Sequence, residues 1–206
     1  MSLKESDEVM TKILENAEQL VEEASLLLDN NRFARAYTLA HLACEETAKI
    51  PMVTNAVCSS ILNDDMDWKK FYKRMRSHNE KIIGFMVTNT FFNIDLDEGI
   101  RDIIENYENV DFSNVKNLNN LKNNSIYAGF INNKFYKPSE IITEDIATKQ
   151  VKTAFNLLNF HKENLDQIQN NLKAIKEDSK FREFFKRVND EMQIEFIEKR
   201  IEKQDK

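Results

Sequence analysis

The sequence predicts an all-α fold, an up-and-down helical bundle, and three observations predict it. In 206 residues there are only 3 Gly and 2 Pro, too few for the many tight turns of a β-sandwich or an α/β fold. Apolar residues recur at spacings of three and four over long stretches, the pattern of helices with one buried face. No Gly-rich phosphate loop, dinucleotide fingerprint or nucleophile elbow is present, which removes the usual support for nucleotide-fold and hydrolase-fold readings.

In chain order, the first helix is predicted over residues 6–28, where Val9, Ile13, Ala17, Leu20, Ala24 and Leu27 form one stripe. Asp29-Asn30-Asn31 breaks it, and Asn31 is placed to cap the next helix. The second helix covers residues 32–62, with a kink at Pro51. Residues 63–65 turn the chain. Asp67 caps a third helix over 68–91, with Phe71, Met75, Ile82, Phe85 and Met86 facing inward. The pattern weakens from 93 to 120, where 97–107 reads as a short helix and the Asn-rich 109–124 as a loop. That loop runs into a short helix over 115–127. Aromatics on both sides of Asn132-Asn133 give a hairpin signal. A long helix follows Pro138, capped by Thr143, and carries Ala147, Val151, Ala154, Leu158, His161, Leu165, Ile168, Leu172 and Ile175. Asp178-Ser179 ends it, and 181–201 is an extra C-terminal amphipathic helix. The expected organisation is one helical domain over 1–177 and a C-terminal helix over 178–206 for dimer or partner contact.

The net charge of −6 argues against a nucleic-acid binder that uses its whole surface, while leaving room for a local basic pocket. Cys44 and Cys58 are too few for a disulfide framework and read as free thiols in a reducing compartment. The N-terminus is polar and acidic, unlike a signal peptide, and no apolar run approaches the ~20 residues that span a bilayer. The expected location is the cytoplasm, with no membrane contact.

Three constellations carry candidate chemistry. The second helix is small or apolar around most of its circumference, as a buried helix is, yet holds His41, Glu45, Glu46 and Lys49. Buried charges need partners. Glu45 and Lys49 stand at i, i+4, an ordinary salt-bridge spacing or one wall of a site. Arg74, His78 and Lys81 are placed on one side of the third helix, either as a solvated basic face or as a phosphate clamp. If helices two and three pack antiparallel about residues 63–65, the acidic turn at Glu45-Glu46 and the turn at His78–Lys81 come to similar heights. Lys122, Asn123 and Tyr127 form the third group, unremarkable alone. His41 and Glu45 supply at most two metal ligands and CxxC is absent, so no metal and no cofactor is expected.

In this order, Ala40-His-Leu-Ala-Cys-Glu-Glu-Thr-Ala-Lys49, Ser77-His-Asn-Glu-Lys81 and Leu121-Lys-Asn-Asn-Ser-Ile-Tyr127 with Pro138 following resemble the AbiV family of bacterial abortive-infection proteins, within the HEPN superfamily. The resemblance covers roughly residues 8–175. It implies a HEPN-like bundle that often dimerises, a part in phage defence, and ribonuclease activity without a metal. The HEPN motif is Arg, a polar residue and, a few positions on, His. Lys122-Asn123 and Tyr127 stand in that place here, so Lys replaces Arg and Tyr replaces His. Lys lacks the bidentate fork of Arg, and Tyr is a weak general base at neutral pH. On this enzymatic reading His78, Lys122 and Tyr127 are catalytic: Lys122 and Lys81 hold phosphate, His78 moves protons and Tyr127 orients the reacting group. Glu45, Glu46, Lys49, Arg74, Lys81 and Asn123 support the pocket or bind substrate. The alternative is a non-catalytic module that grips a phage-encoded protein or the translation machinery. Expected partners are a second copy of the chain, RNA and a phage-encoded protein.

Overall fold

The structure, a computed structural model, describes residues 1–62, 66–91 and 114–180, together with 182, 183 and 186. Helix α1 spans Leu3–Asp29 and starts with a reciprocal cap: Ser2 Oγ accepts from the Glu5 N–H, and the Glu5 carboxylate accepts from the Ser2 N–H. Its end corrects one expectation. Asn31 does not cap the next helix; it terminates α1, with φ of 58°. The Arg32 N–H reaches back to the Leu27 carbonyl at 2.8 Å and the Asn31 N–H to Leu28 at 3.0 Å. This is a left-handed helix terminus, which Asn tolerates better than most residues.

The expected single helix over 32–62 is two helices, α2 (Phe33–Thr47) and α3 (Lys49–Ile61), divided at Ala48. Pro51 explains the position. It has no N–H to offer the Thr47 carbonyl, and its ring would crowd that carbonyl. The break therefore falls one turn before the proline, which then sits in the first turn of α3, where no intrahelical donor is needed. Lys49 lies beyond the bend rather than before it.

The helix expected over 68–91 also divides, into α4 (Trp68–Arg76) and α5 (His78–Phe91). Asp67 caps α4 as expected, accepting from the Lys70 N–H. Ser77 is extended, with φ −79° and ψ 118°, and its Oγ accepts from the Glu80 N–H at 3.4 Å. Ser77-x-x-Glu80 is a helix-start pattern inside what reads as one helix. Arg74 is therefore not in one stripe with His78 and Lys81; it sits on α4 and pairs with Glu80 at 3.1 Å.

Helix α6 (Asn114–Ile126) is followed by a two-stranded antiparallel sheet, β1 (Gly129–Ile131) and β2 (Lys134–Tyr136). Asn132 and Asn133 form its turn, both with positive φ, as a tight right-twisted hairpin demands. A one-turn helix α7 (Pro138–Ile141) precedes α8 (Glu144–Glu177), which Thr143 caps through the Ile146 N–H. The expected helices over 97–107 and 181–201, and with them the C-terminal segment 178–206, lie wholly or largely outside the described residues.

Helix α2 is the hub. It packs against α1, α3, α5, α6, α7 and α8. Ala36, Ala40, Ala43, Cys44 on α2, Ala17 and Ala24 on α1, and Ala147 and Ala154 on α8 are buried and small, so the three backbones approach closely. Gly84 does the same for α5: a β-carbon there would lie 3.2 Å from the Ala48 Cβ, tighter than ordinary contact. Among the described residues no helix is long and apolar enough to cross a membrane.

A carboxylate-centred candidate site

Glu45 is 1% exposed, on the face of α2 that meets α5 and α6. Burying a carboxylate is costly unless it is paired and hydrogen-bonded. Glu45 is both. Lys81 Nζ from α5 lies 2.7 Å from Oε2. His78 Nδ1, at the start of α5, lies 2.7 Å from Oε2 and 2.9 Å from Oε1. Lys122 Nζ from α6 lies 3.7 Å from Oε1, an ion pair rather than a hydrogen bond. His41 Nε2, one turn earlier on α2, lies 3.5 Å from Oε1. Burial pushes the Glu45 carboxyl up, but hydrogen bonds from His41, Lys81 and His78 and the charge of Lys81 outweigh it and hold the pKa at about 2.

An ionised carboxylate only accepts hydrogen bonds. His78 Nδ1 therefore carries a proton, so in the neutral ring the lone pair is on Nε2. The His78 side chain is 53% exposed, whereas Lys81 and Lys122 are buried. The outer face of the site is thus an imidazole oriented by a buried carboxylate. Two lysines against one carboxylate leave it with a formal surplus of positive charge.

Helix α6 is docked in register with α2. Arg35 donates to the Ile126 carbonyl at 3.4 Å, the Thr38 and Ser125 hydroxyls meet at 2.7 Å, and Lys122 reaches Glu45. Rising numbers on α2 meet falling numbers on α6, so the two run antiparallel. Ser125 also donates to the Lys122 carbonyl at 2.6 Å, where it braces the lysine's own turn. The sequence reading missed Thr38 and Ser125. The one available signal was Ser125 inside the Lys122–Tyr127 motif.

The structure thus brings Glu45, His78, Lys81 and Lys122 together and adds His41. It leaves other expected members elsewhere. Lys49 pairs with Glu46, not with Glu45, because the break at Ala48 turns it away. Arg74 pairs with Glu80. Asn123 is exposed, and Tyr127, just past the end of α6, is 67% exposed. Beside the cluster, Gln150 from α8 donates to Cys44 Sγ at 3.3 Å. Among the described residues no group of three His, Cys, Asp or Glu is arranged to hold a metal ion.

An all-helical bundle built around α2, with this polar cluster at the junction of α2, α5 and α6, is a HEPN-like domain. Within that class the chain belongs to the AbiV family: the HEPN_AbiV family model, described as AbiV, matches residues 5–159, more than half of the chain. The match includes every residue of the cluster and carries with it an abortive-infection, HEPN-type function. No curated protein and no solved structure is matched.

Proposed function

We propose that this chain is an abortive-infection effector that stops the infected cell by cutting RNA without a metal. One observation carries the reading: an exposed imidazole whose Nδ1–H is held by a buried carboxylate, 2.7 Å away. A carboxylate fixes the tautomer and stabilises the imidazolium that forms when Nε2 takes a proton. The nucleophile is the 2′-hydroxyl of the RNA. His78 Nε2 takes its proton as the oxygen attacks the adjacent phosphorus, and the bond to the 5′-oxygen breaks as that oxygen takes a proton from solvent water. The products are a 2′,3′-cyclic phosphate and a 5′-hydroxyl end. Lys81 and Lys122 are buried and ion-paired with Glu45, so they act on the phosphate through the surplus positive field rather than by gripping it. Tyr127, exposed next to the α6 terminus, orients the ribose or the leaving oxygen.

The same two lysines favour a second reading. Both are buried on Glu45, as in a structural ion cluster, and a non-catalytic module that grips a phage-encoded protein or the translation machinery would need nothing more. The two readings separate on expression of the chain in a host with and without phage, with RNA fragment ends mapped by sequencing. Discrete new ends that disappear in His78→Ala, and weaken in Tyr127→Phe, support the ribonuclease. Growth arrest without new ends, retained in both variants, supports the binding module.

A further inference from the structure

The β1–β2 hairpin packs within itself, and among the described residues no helix packs extensively against it. It nonetheless shows the side chains a core would use. Phe130 and Phe135 face each other across the strands, with ring centres 5.0 Å apart and planes at 73°. They are 75% and 58% exposed. Strand alternation puts Lys134 and Tyr136 on the opposite face, where Lys134 Nζ stands 4.9 Å from the Tyr136 ring centre. The turn is built from two residues that tolerate positive φ, so the arm has a defined shape rather than a loose tip.

Charge tells what such an arm faces. The protein carries 35 acidic residues and a net charge of −6, yet residues 114–137 contain no Asp or Glu. They contain Lys116, Lys122, Lys134 and Lys137, of which all but Lys122 are exposed. The first carboxylate beyond them, Glu140, is held by the Lys137 backbone N–H. Exposed rings beside lysines, in a zone free of carboxylates, suit a polyanion that also offers flat π faces. Single-stranded nucleic acid has both, and stacking on aromatic side chains needs no particular base. A duplex keeps its bases stacked on each other and offers the arm only phosphates. The arm is also continuous in chain with the site, because α6 carries Lys122 and ends one residue before Tyr127.

We infer that the β1–β2 hairpin is a stacking arm for single-stranded RNA, on which Phe130 and Phe135 hold bases of the strand that enters the site beside His78. The choice of RNA rests on the ribonuclease reading above.

The test uses the full chain with His78→Ala, so that bound RNA is not cut, and a short fluorescent single-stranded RNA read by anisotropy. Adding Phe130→Ala and Phe135→Ala weakens binding roughly tenfold or more, since each stacked base contributes at about that level. Both rings are exposed, so the melting temperature stays unchanged. A duplex of the same sequence binds more weakly and does not respond to the two changes. Lys134→Gln with Lys137→Gln flattens the salt dependence. Unchanged RNA affinity in the Phe variant overturns the inference, as does equal binding of the duplex. A shift from dimer to monomer with RNA binding intact overturns it too, and assigns the arm to contact between copies. The ribonuclease reading fails separately. If the parent with His78 restored cuts no RNA while the Phe-dependent binding persists, the arm stands and the nuclease falls. If the Phe variant cuts RNA with unchanged KM, the nuclease stands and the arm falls.

Discussion

Replacing Glu45 by Gln keeps the shape of the side chain and removes only its charge. Lys81 and Lys122, both buried, then lose their counter-ion, and His78 and His41 are left with one neutral amide oxygen in place of two carboxylate oxygens. Breaking a buried ion cluster from one side costs about 3–5 kcal/mol, because the remaining charge stays desolvated. The carboxyl pKa, which reflects the same contacts, gives a figure of the same size. It falls from 4.5 to about 2 on folding, which corresponds to about 3 kcal/mol at neutral pH. Because the folded value is the lower one, this stability is fully present above the unfolded pKa near 4.5 and is lost as pH falls towards 2. Equilibrium urea unfolding at neutral pH should therefore show Glu45→Gln less stable by about 3–5 kcal/mol. For a chain of this size that is a melting point lower by about 6–20 °C. Glu46→Gln is the control: it breaks a partly exposed i, i+3 pair with Lys49 and should cost under about 1 kcal/mol. Replacing Lys81 or Lys122 by Met in the Gln background should restore part of the loss, since it removes a stranded charge. If Glu45→Gln lies within about 1 kcal/mol of the parent, the cluster is not the electrostatic centre described here.

His161 on α8 is 4% exposed, beside Phe160, and neither ring nitrogen has a hydrogen-bond partner among the described residues. Burial lowers its pKa from 6.5 to about 4, so it is neutral when folded. The unfolded chain binds a proton there first as pH falls, and stability should drop by about 3 kcal/mol between pH 6.5 and 4. Urea midpoints of the parent across that range should slope, and those of His161→Leu should slope much less; parallel slopes would contradict the assignment. Burial likewise pushes the Cys44 thiol up to about 12 and the Cys58 thiol up to about 11. A thiol-reactive chromogenic disulfide should label neither cysteine in the native protein at neutral pH and both in urea; rapid native labelling would show that these helices open locally.

Much of this molecule is local, and what is local could be read directly. The Ile13, Ala17 and Ala24 positions of the first stripe, the caps at Asp67 and Thr143, and the Asn132-Asn133 hairpin are each decided by residues within one or two turns of each other. Where the reading failed, a second local signal competed with a long periodic pattern. Pro51 ended α2 a turn early, Ser77-x-x-Glu80 started a new helix inside a continuous stripe, and Asn31 took a left-handed terminus rather than a cap.

The site divides along the same line. The sequence by itself determined that α2 must be buried while holding charges, and so that partners had to arrive from elsewhere; the cost of an unpaired buried ion compels this before any fold is known. It also placed the acidic turn and the His78–Lys81 turn at similar heights. Only the tertiary structure decided which charges meet. Glu45 and Glu46 are adjacent in sequence, but a step of about 100° around a helix points one at α5 and α6 and leaves the other to Lys49. His41 is the exception, a local member: it stands at i, i+4 from Glu45, one turn away on the same face of α2. Lys122 joins the cluster because Thr38 and Ser125 set the register of α6, a contact across 87 residues of chain that no local pattern encodes.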